Sequence, residues 1–537
     1  MKRCTVIGSG PSGLHFARAA LSRGYAVEMI DVGFAPPAPV NPDDSFNGLK
    51  AGLEDPGEYL LGEDFGGVLL PGAQEEFYGI PPSKDYALRQ VPWLETQTRD
   101  FEPKFSFAQG GLAQMWTGGC YPFNDDDLSG FPFDYAALAP YYAEVAGNIG
   151  INGVADDLAG FLPLHDNLQE PLRLDDHSAQ LLSRYTARRE YLREQLGCHM
   201  GRARQAVLNH DMGARKACEY SGRCIWGCPR GSIYTPDLTL DECRQSAQFT
   251  YHSGYYVTHF NYDETGRVRS VSARQLDTGE TREFTVDTLV LACGALGTSK
   301  VYLESIYRQT GEIKVLRGLM DNRQILMPFL NYGMIGRQYN ADSYQYNQLA
   351  MGLETGSPEA YVHCMITTLK TAMVHPVIDA FPLDLRTGVH MFRNIRAALG
   401  VVNLNMHDTR RDDCTLTLDT GGSGQHPRLV INYVPPADEG ARIAHTVGRL
   451  KKVLGKLGCV VPPGMVHTRP MGASVHYAGT LPMSKAPQPM TVSPDCRSHD
   501  FSNLYIADGA SFPFLPSKNI TFTLMANASR IAAGLDR

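Results

Sequence analysis

The first thirty residues constrain this chain more than any other stretch. Residues 4–7 are a short apolar run, and Gly8, Gly10 and Gly13 follow at G-x-G-x-x-G spacing. Residues 26–30 form a second apolar run that ends at Asp31. This order predicts a buried strand, a glycine turn, a helix from residue 14 to about 23 with Gly24 as its C-cap, and a second buried strand. The three glycines differ in purpose. Gly8 makes the tight turn, Gly10 lets a pyrophosphate approach the backbone, and Gly13 lets the helix pack on the sheet. The helix N-terminus offers unpaired N–H groups and positive dipole to phosphates, with Pro11 and Ser12 in the glycine turn leading into it. Asp31 is placed to accept hydrogen bonds from a ribose. Strand, helix, strand and terminal acid in order make a dinucleotide site, but they do not choose between FAD and NAD.

A length of 537 residues allows two or three domains, or one fold with large insertions. Hydrophobic content of 43% and charged content of 20% are those of an ordinary globular protein. The net charge of −8 argues against a nucleic-acid-binding surface. There is no apolar run of about 18 residues, so no membrane span is expected. The glycine motif begins at residue 8, which leaves no room for a signal peptide and predicts a cytoplasmic protein. Twelve cysteines in so long a chain suit reduced thiols better than a disulfide framework.

Residues 34–100 are rich in Pro, Gly and Asp and read as a surface excursion, with plain loop favoured over a lid or an oligomer arm; a homo-oligomer stays open. The next informative stretch is F-A-Q-G-G-L-A-Q-M-W-T-G-G-C-Y-P-F, residues 107–123. Four glycines around one Trp suggest backbone passing close to a large flat ligand. This stretch resembles the glycine loop of the glucose–methanol–choline (GMC) flavoprotein oxidoreductases, which lies along the flavin. Its style, with F-P-F-D-Y-A-A-L-A-P-Y-Y at 131–142, is most similar to the pyranose-oxidase and bacterial polyol-dehydrogenase branch. The resemblance implies cofactor contacts at Gly110, Gly111, Met115, Trp116, Thr117 and Gly118. Some relatives bond FAD covalently through a His before the Trp. Met115 stands there in this chain, so non-covalent FAD is expected.

Residues 180–200 have apolar positions at helical spacing and predict one helix, with Gly197 at its end. Cys218, Cys224 and Cys228 then form a thiol cluster. Its spacing resembles that of GMC subunits carrying an iron–sulfur cluster, and also the structural turn of cluster-free members; structural cysteines are favoured. Residues 248–275 alternate as strands around a D-E-T-G hairpin turn. By the resemblance, Tyr256 and Val257 are the candidates for the segment against the adenine. T-L-V-L-A-C-G-A-L-G-T-S-K, residues 288–300, predicts a buried parallel strand running into a helix, with Cys293 and Gly294 at the turn. From 301 to 465 the pieces are strand-like and predict an antiparallel sheet with covering helices.

The C-terminal residues carry the chemistry. G-A-S-V-H-Y-A-G-T-L-P-M (472–483), N-L-Y-I-A-D-G-A-S-F-P (503–513) and P-S-K-N-I-T-F-T-L-M-A-N-A (516–528) resemble three further motifs of the family. Oxidising an alcohol needs a base near neutral pKa and a second group to orient the hydroxyl. The resemblance puts these roles on His476 and Asn519, and places Asp508, Gly509, Asn519 and Thr521 beside the flavin. Ile520 replaces the family's Pro after the Asn, a departure that bears on the turn carrying the amide.

The fold class expected is α/β (α+β overall): a Rossmann-like FAD-binding domain with a discontinuous substrate domain built on an antiparallel sheet. The FAD-binding parts are 1–155, 216–300 and 466–537, with 156–215 connecting and 301–465 binding substrate. The function implied is FAD-dependent oxidation of a hydroxyl on a sugar, cyclitol, glycoside or similar polyol, with oxygen or another electron acceptor. A tailoring oxidase of a larger metabolite is the main alternative. A hydroxynitrile-lyase-like enzyme and a catalytically idle flavoprotein carry less weight. A flavin monooxygenase would need a second dinucleotide motif, which the sequence lacks.

Overall fold

The computed structural model describes residues 2–37, 45–62, 80–369, 378, 381–421 and 426–535. Its centre is a five-stranded parallel sheet in the order Leu504–Ile506, Thr288–Leu291, Arg3–Ile7, Ala26–Ile30, Phe249–His252. In register, Val6 lies between Val290 and Met29. Cys4, Val6, Val27, Met29, Leu289 and Val290 are all buried, the pattern of parallel strands covered on both faces. The helix Pro11–Leu21 packs on the C-terminal helix Thr521–Gly534, which also packs on Tyr135–Ile149. Distant parts of the chain thus meet at one sheet, and ligands of such sheets bind outside the carboxyl ends of the strands.

The first helix starts at Pro11 rather than residue 14, because proline is pre-organised for the first helical position. It ends at Leu21 with Ser22 as C-cap; Gly24, at φ +82°, instead makes the turn into the next strand. Residues 248–262 are two strands, not one. Phe249–His252 closes the parallel sheet, and Tyr255–Tyr262 joins Val268–Gln275 and Thr281–Thr285 in an antiparallel sheet. Gly254, at φ +84°, turns the corner and donates its N–H to Val32 O at 2.9 Å. The expected hairpin turn is present, with Gly266 N–H donating to Asp263 O at 2.9 Å. The helix expected over 180–200 is also divided, into Asp176–Thr186 and Arg189–Leu196. Asp157 holds the break open by accepting from Tyr185 Oη at 2.7 Å and Arg189 Nε at 2.6 Å. Gly197 caps the second helix in the left-handed conformation, as expected.

A second large sheet is antiparallel and forms one wall of the site. Its order is Cys459–Val460, Arg323–Asn331, Leu399–Met406, Val362–Thr368, Leu349–Leu353, Cys198–Arg202, and His467–Thr468 also pairs with Arg323–Asn331. Alternate residues point to opposite faces. Ile325, Met327, Phe329, Val402, Leu404, Cys364 and Ile366 form one buried core with Leu450, Val453 and Leu454 of the helix Glu439–Lys456. The intervening residues, Gln324, Leu326, Val401, Asn403, Met365 and Thr367, line a cavity.

The excursion over 34–100 is not plain loop in its described parts. It contains the helices Phe46–Gly52 and Pro56–Leu61 and a 3-10 turn, Pro82–Leu88. Its strand Thr96–Arg99 lies parallel to Arg428–Asn432 in a sheet with Thr415–Asp419 and Val315–Arg317. Backbone pairing to a distant strand makes the order that composition could not show. Residues 38–44 and 63–79 of the excursion lie outside the described residues. Among the described residues, no helix is long and apolar enough to cross a membrane.

Candidate active site

A cavity of about 590 Å³ runs from the first glycine turn to the wall sheet. One end is built by the ends of the parallel strands. Gly8 sits at φ +100°, where a Cβ would come within 2.7 Å of Ala292 O. A Cβ at Gly10 would meet nothing within 4 Å, so this backbone is open to a ligand. Gly8, Gly10, Pro11 and Ser12 line the cavity, whereas Gly13 does not. A Cβ on Gly13 would lie 2.0 Å from Gly8 O, so its place is in the packing of helix on turn.

Asp31 accepts from Ser9 Oγ and from Tyr251 Oη, the latter at 3.1 Å. Burial raises its pKa to about 6 against these hydrogen bonds. Ser9 Oγ also accepts the Gly110 N–H at 3.0 Å, which ties the first turn to the second glycine loop. From that loop Gly111, Met115, Trp116 and Thr117 line the cavity, while Gly110 and Gly118 stand behind it. Trp116 is fixed by donating its indole N–H to Tyr234 O at 2.8 Å. Tyr256 and Val257 line the far end, with Tyr256 stacked on Trp93 at 6.1 Å. Cys293 and Gly294 present a second helix start, that of Gly294–Thr310. Asp508 accepts from Thr298 Oγ1 at 2.5 Å and from Ala510 N–H at 3.0 Å. Burial raises its pKa to about 6. Gly509 and Thr521 complete this end, and a Cβ on Gly509 would meet Tyr477 O at 2.4 Å.

His476 and Asn519 meet where the two ends join. His476 Nε2 lies 3.4 Å from Asn519 Nδ2, and both residues line the cavity. On its other side, His476 Nδ1 is 2.9 Å from Asn322 Oδ1. The backbone N–H of His476 donates to Ser474 Oγ at 3.0 Å. Ser474 and the Gly472 N–H both donate to the buried Asp321 carboxylate, the latter at 2.6 Å. Burial, with Arg469 adding to it, lowers the His476 pKa to about 4. The imidazole is therefore neutral at neutral pH. Val475 precedes it at φ +58°, a left-handed conformation that costs a β-branched residue roughly 1–3 kcal/mol and is characteristic of functional sites.

Asn519 is held by its neighbour. The buried Lys518 ammonium donates to Pro122 O at 2.9 Å, to Phe161 O and to the Asp127 carboxylate. This clamp fixes the turn that, in the family pattern, a proline follows. Among the described residues, Asn519 Oδ1 is buried with no hydrogen-bond partner.

Sequence reasoning missed Ser9, Thr298, Asn322 and the wall residues Gln324, Asn347, Thr367 and Asn403. The wall carried a usable signal: Gln324, Thr367 and Asn403 are the polar alternates of strands whose other face is apolar. Asn347 accepts from Thr367 Oγ1 at 2.5 Å and donates to Thr117 Oγ1 at 3.4 Å, joining wall and glycine loop. Cys218, Cys224 and Cys228 do not line the cavity; they pack, half-buried, beside Tyr344 and Tyr346. Burial raises the Cys218 thiol to about 11 and the Cys224 thiol well above its ordinary value. Among the described residues, no three His, Cys, Asp or Glu side chains are grouped to hold a metal ion.

Residues 410–528 match the family model described as GMC oxidoreductase. The chain is 24% identical to paromamine 6'-oxidase of Streptomyces fradiae, over 98% of this chain and 90% of that protein. It is 23% identical to C-glycoside 3-oxidase of Microbacterium trichothecenolyticum, over 98% of this chain and 94% of that protein. Among solved structures it is similar to pyridoxine 4-oxidase from Mesorbium loti, with a TM-score of 0.62 at 15% identity, covering 100% of this chain and 99% of that one.

Proposed function

We propose, from the premise that this chain is a GMC oxidoreductase, that it oxidises a hydroxyl of a glycoside, cyclitol or similar polyol to a carbonyl. The observation that carries the reading is the His476–Asn519 pair, 3.4 Å apart and open to one cavity. Relatives named for paromamine and for a C-glycoside support the polyol substrate, as do the wall residues Gln324, Asn347, Thr367 and Asn403.

The residues present fit FAD. Two helix starts, Gly10–Ser12 and Gly294, offer N–H groups to a pyrophosphate, and Gly10 has open space where any other residue would carry a Cβ. Asp31 is the acceptor for ribose hydroxyls, and Tyr256 and Val257 lie where the adenine would rest. Asp508, Gly509 and Thr521 would border the flavin side with Met115 and Trp116. A thioether at 115 forms no bond of the kind a histidine there forms, so the cofactor is held non-covalently.

When bound, FAD supplies the acceptor for a hydride leaving the alcohol carbon. The protein's part is to take the hydroxyl proton and to aim the carbon. His476, neutral at working pH, accepts that proton. The Asn519 amide donates to the same oxygen and fixes its direction. The amides and hydroxyl of the wall sheet hold the remaining hydroxyls of the substrate.

The test is anaerobic bleaching of the protein-bound FAD by a panel of glycosides, cyclitols and simple alcohols. Bleaching by polyols is expected, and it should be lost in His476→Ala with FAD content unchanged. Near-wild-type bleaching in that variant would refute the assignment. Acid precipitation should release unmodified yellow FAD into the supernatant; colour staying in the pellet would refute non-covalent binding. Dye turnover under nitrogen, compared with peroxide formed in air, assigns the acceptor.

A further inference from the structure

We propose that Asn322 is the positioning residue of the catalytic pair: one side chain fixes both the tautomer of His476 and the loop that carries Asn519. The inference rests on the reading of His476 as the base. Its ground is the orientation of a single amide. Asn322 Nδ2 donates to Met406 O at 2.9 Å and to Pro516 O at 3.0 Å. Carbonyl oxygens only accept, so the end of the amide facing them is the NH₂. Oδ1 is then the atom 2.9 Å from His476 Nδ1. An amide oxygen cannot donate, so Nδ1 carries the hydrogen, and in the neutral imidazole Nε2 carries the lone pair. Nε2 is the nitrogen that faces Asn519 and the cavity.

The same amide reaches the second partner through Pro516, at the head of the short turn that Lys518 clamps and Asn519 occupies. Asn322 is buried and directly precedes the wall strand Arg323–Asn331. Its neighbour Asp321 accepts from Gly472 and Ser474, in the segment leading to His476. Residues 321 and 322 together therefore fix the backbone and the ring of the base. An unheld imidazole could place its proton on Nε2, where it would face the substrate hydroxyl as a donor. Both nitrogens of the pair would then offer hydrogens, and the proton acceptor would be lost.

The charged and titratable groups that act on the ring are Arg469 and, from the wall strand Val362–Thr368, His363; Asp321, with Asp408 behind it, holds the segment leading to the ring, and Lys518 acts on His363. The partner at Nδ1 is Asn322 Oδ1, at 2.9 Å.

The experiment compares FAD-loaded wild type, Asn322→Leu and Asn322→Asp. In wild type, long-range ¹⁵N–¹H histidine spectra should show the His476 resonance, assigned by its loss in His476→Gln, as protonated on Nδ1 and bare on Nε2 at pH 7. The opposite tautomer in wild type overturns the proposal without any Asn322 variant. Asn322→Leu removes acceptor and donors; kcat should fall roughly 10²-fold, with KM for the alcohol changed far less and the tautomer signature lost. Asn322→Asp loses the two donors but keeps an acceptor for Nδ1. It should retain the tautomer, recover part of kcat, and raise the acid limb of the pH profile by about one unit or more, because a carboxylate stabilises the imidazolium. Equal losses in both variants with the acid limb unmoved would mean a structural cross-link only and overturn it. Unchanged kcat and spectrum in Asn322→Leu would do the same. If wild type bleaches with no alcohol, the base assignment fails, and the spectra still decide the tautomer.

Discussion

Single residues divide into those that serve a ligand and those that serve the fold, and glycines show the division within one motif. Gly10 has φ −66° and open space beyond its Cα, so alanine fits the protein there. Gly10→Ala should leave the melting temperature of the FAD-free protein unchanged or slightly raised, since alanine at a compatible site gains about 0.4–1 kcal/mol. The methyl would stand in the cavity, and FAD affinity should fall by about tenfold or more, measured by flavin fluorescence titration. Gly13 is the opposite case. A Cβ 2.0 Å from Gly8 O forces backbone apart, so Gly13→Ala should lower the FAD-free protein's stability by roughly 1–3 kcal/mol. Equal effects of the two changes on stability would show that the turn does not divide its labour this way. The spacing of the motif assigns the two roles only in outline. The atoms around each position, Gly8 O against residue 13 and open space at residue 10, supply the physical reason for each.

At the scale of elements, the turn 516–520 shows what a linear pattern can and cannot carry. The departure at Ile520 was visible, and so was its bearing on the turn that aims the amide at 519. The support itself, Lys518 on Asp127, Pro122 and Phe161, joins segments hundreds of residues apart and has no local signature. Asn322 was invisible for the same reason, since nothing in its own neighbourhood points to residue 476. By contrast, the strand–turn–helix start, the strand into Gly294 and the antiparallel wall were legible, because alternation and glycine spacing are local. The divided helix at 187–188 was not, because Asp157 makes the break from outside. Lys518→Met should isolate the clamp. It strands a buried carboxylate and should cost roughly 3–5 kcal/mol, read as a lowered denaturation midpoint. Lys518→Met combined with Asp127→Leu should regain much of that stability, because no buried charge is left unpaired. It should not regain kcat, because the ties from residue 518 to the Pro122 and Phe161 carbonyls stay broken. Full recovery of kcat in the double variant would show that the clamp does not position Asn519.

For the whole molecule, the buried imidazoles and carboxylates set opposing pH dependences. Burial lowers His15 and His363 to about 3, and His165, His407 and His476 to about 4. Each stays neutral in the fold while its unfolded counterpart takes up a proton below about 6.5. Their contribution to stability is therefore complete above pH 6.5 and is lost as pH falls towards 4. Asp31 and Asp508, raised to about 6, and Asp321, raised to about 7, act in reverse. They take up protons in the fold first, which favours the fold at low pH, and this contribution is lost as pH rises through 6–7. His259 is lowered to about 4 as well, and these six histidines all take up protons in the unfolded chain over the same interval. Between pH 6.5 and 4 the unfolded state thus binds more protons, and stability should fall as pH is lowered. Urea midpoints of the FAD-free protein at half-unit steps from pH 7.5 to 4.5 measure this directly. A fall beginning near pH 6.5, accompanied by net proton uptake on unfolding at pH 5.5, is expected; a midpoint that rises on acidification would mean that the carboxylates dominate. The same argument separates stability from catalysis. His476 keeps its lone pair down to about pH 4, so the alcohol-bleaching step should outlast part of the loss in stability, with the acid limit on turnover set by unfolding or by the base itself according to which comes first in the two profiles.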